Sequence, residues 1–340
     1  MFWKRRGIGL DIGSESIKLT YLDSDKNLIE STRACPILPE RSSKDDTPGK
    51  EAIQRCIADV IREFQKESQS FKRQVSASIQ GGGSITKYIE LPPLKPKELA
   101  VAVPSAAIRH IPFPMDRITL SFIQVPQISS QEKKTGVFFI AEQNDEIESL
   151  KENIKASGLE LNRLETPSLP LTRLFGKNHR PPKDSFHAIV HTGFKFTHVI
   201  VFRDRYPYFA REFPLGGRDF TYAFQMGEQI PWNEAEEKKK SYDALQRDIG
   251  MEPFLTRWLQ EVKKSMSFFE KTFSMENITI NKVFLSGGGA AFRNLDSRLE
   301  KHLDIPVQVD TLDHVKFKGK APEDHFQGTY AVATGLALEN

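Results

Sequence analysis

Apolar residues alternate through Ile8, Leu10 and Ile12, break at Gly13-Ser14-Glu15, and resume through Ile17, Leu19, Tyr21 and Leu22. Alternation interrupted by small residues predicts a strand, a turn and a second strand. The same plan returns 180 positions later, from His187 through Ile189, the turn Thr192-Gly193 and on to Phe202. In that shift Asp11 falls on His191 and Gly13 on Gly193. Each unit then reaches a polar turn, over 23–27 and 203–206, and a third strand-like piece. Two similar halves, each opening with a β meander, are the simplest account, although two hairpins can also resemble each other by chance.

Elsewhere the period changes. Ile53, Ile57, Val60, Ile61 and Phe64 predict a helix over 52–64. Leu255, Trp258, Leu259, Val262, Met266, Phe269 and Phe273 predict another with a wide buried stripe, whose aromatics read as core. A polar loop is expected over 39–50, a strand at 75–79, a glycine turn at Gly81-Gly82-Gly83 and a strand at 88–91, closed by Pro92-Pro93. Residues 94–160 read as an inserted α/β block, with helices over 96–109 and 144–157 and strands over 118–125 and 137–141. Gly176 and the pair Pro181-Pro182 mark the boundary between the halves. The expected division is 1–177, a hinge at 178–184, and 185–340.

Composition narrows the function classes. With 39% hydrophobic and 27% charged residues the chain is globular, and 340 residues suffice for two or three domains. A net charge of +3 is too balanced to signal nucleic-acid binding. The two cysteines, Cys35 and Cys56, have no metal-ligand spacing and suggest no disulfide framework, which fits a reducing compartment. The start Met1-Phe2-Trp3-Lys4-Arg5-Arg6 lacks the apolar core of a secretory signal, and no apolar stretch is long enough to cross a membrane. A cytosolic protein is expected.

Two loops carry candidate chemistry. Lys282-Val283-Phe284-Leu285-Ser286 reads as a strand leading into Gly287, Gly288 and Gly289 and then a helix. Backbone lying flat against a ring or phosphate cannot carry a Cβ, so successive glycines after a strand suit a ligand loop, though many strand–helix turns contain them. Asp11 and Gly13 at a strand end, followed by Ser14 and Lys18, would place N–H groups, a carboxylate and an ammonium at one mouth, able to hold phosphates and a Mg²⁺ water shell. Glu236 and Lys239 lie three apart on a charged helix and could reach ribose hydroxyls; the spacing equally fits a solvated face.

Taken in order, these motifs resemble the actin-like ATPase superfamily and, within it, the PilM family of type IV pilus assembly proteins, related to FtsA. The resemblance spans nearly the whole chain. Asp11-Ile12-Gly13-Ser14 through Lys18 is similar to the first phosphate motif, Ser286-Gly287-Gly288-Gly289 to the adenosine motif, and Ala235-Glu236 with Lys239 to the ribose-contacting helix. Ile111-Pro112-Phe113-Pro114, Arg211-Glu212-Phe213-Pro214-Leu215-Gly216-Gly217 and the closing Tyr330-Ala331-Val332-Ala333-Thr334-Gly335 point to the PilM branch, as does a chain ending soon after Leu338 without FtsA's membrane-targeting helix.

The resemblance implies an α/β actin-like fold of two lobes around a nucleotide cleft. The block at 93–160 would be the inserted 1C subdomain and 218–252 the 2B region. It implies ATP or ADP with Mg²⁺ near Asp11, Gly13, Ser14 and Lys18, with Gly193 opposite. It further implies a place in the inner-membrane pilus platform, bound to the cytoplasmic N-terminal tail of PilN and reaching the membrane only through partners. Other platform and motor proteins, and self-association, stay open. One departure stands out: His191 occupies the place of the second phosphate motif's aspartate, with Phe194 after the glycine. An imidazole is a poor ligand for Mg²⁺, so slow or absent hydrolysis is expected. His191, when protonated, could still bond a phosphate, or be a satisfied strand-end histidine. Glu165 is a candidate carboxylate for the cleft. The alternatives are an active hydrolase or phosphotransferase, and an adaptor with a vestigial cleft.

Overall fold

The computed structural model describes residues 6–23, 28–37, 49–67, 73–79, 83–128, 132–179, 181–246, 248–310, 312, 315–318 and 327–338. The N-terminal residues 1–5, most of the loop expected over 39–50, the turn at 24–27 and the glycines at 81–82 lie outside them.

The predicted meander forms the heart of the first sheet. β1 (Arg6–Ile12) pairs antiparallel with β2 (Ser16–Asp23), and β2 with β3 (Leu28–Pro36). β4 (Gln74–Ser78) runs parallel to β1, and β8 (Glu160–Glu165) parallel to β4. The second sheet repeats this topology. β9 (Phe186–Thr192), β10 (Thr197–Arg203) and β11 (Tyr206–Phe213) form an antiparallel meander. β12 (Ile280–Ser286) runs parallel to β9, and β13 (Val307–Val309) parallel to β12. The 180-residue shift is therefore a shift of whole sheets: Asp11 pairs with Lys18 across β1 and β2, and His191 with His198 across β9 and β10.

The apolar stripes bury as their spacing requires. α1 (Lys50–Glu67) lays Ile57, Val60, Ile61 and Phe64 on the first sheet. α7 (Glu252–Thr272) lays Leu255, Trp258, Leu259, Val262, Met266 and Phe269 on the second, with Trp258 Nε1 donating to Thr197 Oγ1 at 3.1 Å. Each such side chain contributes about 1.5–3 kcal/mol when fully buried.

The chain departs from the expected division in four places. α4 (Ser168–His179) continues through Gly176 and Lys177, because its buried face, Leu171, Leu174 and Phe175, holds the helix past the glycine. The inserted sheet begins before 93: β5 (Ile85–Leu91) pairs with β7 (Thr135–Gln143), which pairs with β6 (Ile118–Val125), and α2 (Pro96–Ala107) covers it. α3 (Asn144–Ala156) leaves that sheet and packs Ile154 into the core beneath α1, with Gln54 Nε2 donating to Asn153 Oδ1 at 3.0 Å. The end of the chain returns to the first sheet. β14 (Lys316–Phe317) pairs with β3, and α9 (Ala331–Ala337) crosses β1. Gly7 and Gly9 permit that crossing, since a Cβ on either would sit 1.9 Å from a carbonyl oxygen of α9.

Candidate functional site

A cavity of about 590 Å³ opens between the two meanders, within the range of small-molecule sites. From the first sheet it is lined by Asp11, Gly13, Ser14, Glu15 and Lys18. From the second come His191, Gly193 and Phe194, with Gly288 and Gly289 beyond β12. Glu236, Lys239 and Lys240 line it from α6 (Trp232–Ser241), and Gly217 from α5 (Gly217–Glu228). Of the residues singled out from sequence, Asp11, Gly13, Ser14, Lys18, His191, Gly193, Glu236, Lys239, Gly288 and Gly289 line the cavity, and Gly287 and Glu165 do not.

The two turns facing each other are built alike. Gly13 N–H donates to Ser16 O at 3.1 Å and Gly193 N–H to Phe196 O at 2.8 Å. Asp11, 3% exposed, accepts from Ser78 Oγ at 2.8 Å, and Lys18 Nζ lies 3.8 Å from its other oxygen. An oriented carboxylate beside an ammonium suits a phosphate chain with its cation.

On the far wall Lys239 Nζ donates to Glu236 Oε1 at 2.7 Å and to Thr221 Oγ1 at 2.8 Å, while Thr221 Oγ1 lies 2.5 Å from the same carboxylate oxygen. A lysine only 8% exposed needs such pairing. Thr221 was not legible from sequence, because it comes from a different helix. Nor was Glu15, at the mouth of the cavity: desolvation, then Glu236, pushes its carboxyl above the ordinary range. Thr329 also lines the cavity, close to Gly288.

The three glycines have different reasons. Gly287 has φ +90° and a Cβ there would meet Thr192 O at 2.3 Å; on Gly289 it would meet Gly193 O at 2.5 Å. Both are demanded by backbone packed against the end of β9. Gly288 is the exposed one, facing Thr329 Oγ1. After a single turn (Gly288–Ala290) the helix begins only at α8 (Leu295–Leu303).

One of the two readings left open for His191 falls away, and the expectation for Glu165 is corrected. His191 is not a cationic phosphate ligand: burial, with His198 and Lys18 adding to it, lowers its pKa to about 3, and its Nδ1 lies 3.4 Å from Ser286 Oγ. His198 is likewise held near 4 by burial, so Glu212 at 3.4 Å is not its ionic partner at neutral pH. The second sheet thus carries two neutral imidazoles where the first carries Asp11 and Lys18. Glu165 does not face the cavity. It ends β8 at 7% exposure, and Arg173 grips both carboxylate oxygens at 2.7 and 3.0 Å. Among the described residues no group of three or more His, Cys, Asp or Glu is placed to hold a metal ion, and no helix is long and apolar enough to cross a membrane.

Two sheets of one topology, opposed across a cleft and joined by a returning C-terminal helix, define an actin-like ATPase fold. A solved PilM–PilN type IV pilus biogenesis complex is similar at 24% identity and TM-score 0.81, over 99% of this chain and 100% of the other. The ethanolamine utilization protein EutJ from Carboxydothermus hydrogenoformans is similar at 15% identity and TM-score 0.62 (99% and 90%). MreB5 of Spiroplasma citri bound to ADP is similar at 13% and 0.54 (97% and 94%). No curated protein matched by sequence. The family model for type IV pilus assembly protein PilM matches residues 9–340, and the chain belongs to that family.

Proposed function

We propose that this protein is a cytoplasmic, ATP- or ADP-binding scaffold of the type IV pilus inner-membrane platform, held there by the cytoplasmic N-terminal tail of PilN. The observation that carries the nucleotide part is the cleft itself: the phosphate-side, ribose-side and glycine-loop residues converge on one cavity from both sheets. The partner assignment is supported by family membership and by the similarity over the full chain to PilM in a PilM–PilN complex.

In this reading Lys18 and the Gly13 and Gly193 turns receive the phosphates, Gly288 and Gly289 lie against the adenine, and Glu236 and Lys239 meet the ribose. Bound Mg²⁺ would neutralise phosphate charge. Asp11 is the carboxylate oriented toward it, and as one protein oxygen ligand it fits an ion carried in by the nucleotide rather than one resident in the protein. Hydrolysis would require a base to orient water. His191 is a neutral imidazole with low proton affinity, Glu165 is turned away, and Glu236 is engaged by Lys239, which leaves Glu15 at the mouth of the cavity as the remaining carboxylate base, and turnover in this reading is slow or absent. The two lobes are the two main sheets with their helices, and nucleotide sets how they close, which biases partner affinity.

The partner assignment is tested by titrating a synthetic PilN N-terminal tail into the protein with and without ATP. Saturable binding, changed by ATP, is expected. No binding in either state would refute the assignment.

A further inference from the structure

Cys35 and Cys56, which their spacing in sequence gave no reason to pair, meet across the first lobe. Cys35 is on the end of β3, half-buried, and Cys56 is on the inner face of α1, 7% exposed. Their Sγ atoms lie 2.6 Å apart, in direct contact. Both thiols point at one acceptor, Pro36 O, at 3.6 Å from Cys35 Sγ and 3.3 Å from Cys56 Sγ. The position matters to the fold: Cys35 pairs with Ile17 across β2, and Ile37 N–H donates to Glu15 O at 2.6 Å. The cysteines therefore stand directly behind the hairpin that bears Gly13 and Lys18.

We propose that Cys35 and Cys56 form a reversible redox site, closing to an intramolecular disulfide with a low-molecular-weight disulfide as oxidant. Cys35, the more accessible, attacks as thiolate on one sulfur of oxidised glutathione, forming a mixed disulfide and releasing one glutathione thiolate. Cys56 loses its proton to water and attacks the Cys35 sulfur, releasing the second glutathione. Two protein thiols are oxidised to one disulfide and one glutathione disulfide is reduced to two thiols. Burial and the neighbouring thiol push the Cys35 pKa up to about 12, so the thiolate is scarce and closure is slow at neutral pH. The product joins β3 to α1 and anchors the strand that backs the Gly13 turn.

The test incubates the full-length protein in glutathione buffers from reduced to oxidised, followed by acid trapping and intact mass measurement. Both free thiols are expected to disappear together, and non-reducing trypsin digestion should link peptides 34–41 and 56–62. The single variants Cys35→Ser and Cys56→Ser should instead stop at a glutathione adduct on the remaining thiol. A persistent glutathione adduct on the wild type, a disulfide-linked dimer, or unchanged thiols at the oxidised end would each overturn the proposal.

Discussion

His191, on the cleft wall, and His198, its neighbour across β9 and β10, show how burial sets the state of an imidazole. Each imidazole gives up water on folding with no paired carboxylate strong enough to compensate, so the neutral form wins, near pKa 3 and 4. In the unfolded chain both return to about 6.5. The unfolded state therefore binds protons first as pH falls, and the stabilisation, fully present above about pH 6.5, is lost progressively toward the folded-state values. Thermal unfolding followed from pH 7 to pH 4 should show a falling midpoint, and the His191→Asn variant a flatter dependence. Equal slopes would mean that His191 takes up its proton in the folded protein. The sequence aligned His191 with Asp11, but an alignment of types carries no information about enclosure. A residue that is polar in the string becomes an uncharged wall only once the second sheet, Ser286 and His198 surround it.

Among the elements, the junction of β8, α4 and α9 carries the clearest energetic commitment. Arg173 holds Glu165 with two hydrogen bonds and donates from Nη1 to Gly335 O at 2.7 Å, while Arg163 Nη2 donates to the carbonyls of Leu336 and Leu338 at 3.0 and 3.2 Å. These contacts tie the end of the chain to the first sheet. Arg173→Ala leaves the Glu165 carboxylate buried without its bidentate partner, and should cost about 3 kcal/mol, read as a lower urea midpoint. An unchanged midpoint would show that Arg163 compensates. The elements with strong local period were legible: both meanders, α1 and α7 follow from alternation or helical spacing. What escaped was non-local. That 85–91 joins the inserted sheet, and that β14 and α9 return to the first, depends on pairing partners more than 40 and more than 280 residues away, which no local period encodes. Gly7 and Gly9 were the available trace of α9, yet glycines at the start of a strand have many explanations.

At the scale of the molecule the inserted sheet is tied to both lobes. It grows from the first, but Thr86 Oγ1 donates to Ala210 O at 2.9 Å, Tyr208 OH to Pro126 O at 2.9 Å and Arg203 Nη2 to Gln127 O at 3.0 Å, and Tyr88 packs on Tyr208 at 5.3 Å. A change in the angle between the main sheets must shear or carry this insertion, so a ligand that closes the cleft acts on a surface far from it. That coupling has meaning only if the cleft takes a nucleotide. The deciding measurement is calorimetric titration of ATP with Mg²⁺ into nucleotide-stripped protein, with phosphate followed in the same sample. The account predicts saturable binding with little phosphate released. Absence of binding would contradict it by making the cleft a relic, and rapid phosphate release would contradict the scaffold reading by making the protein an ATPase.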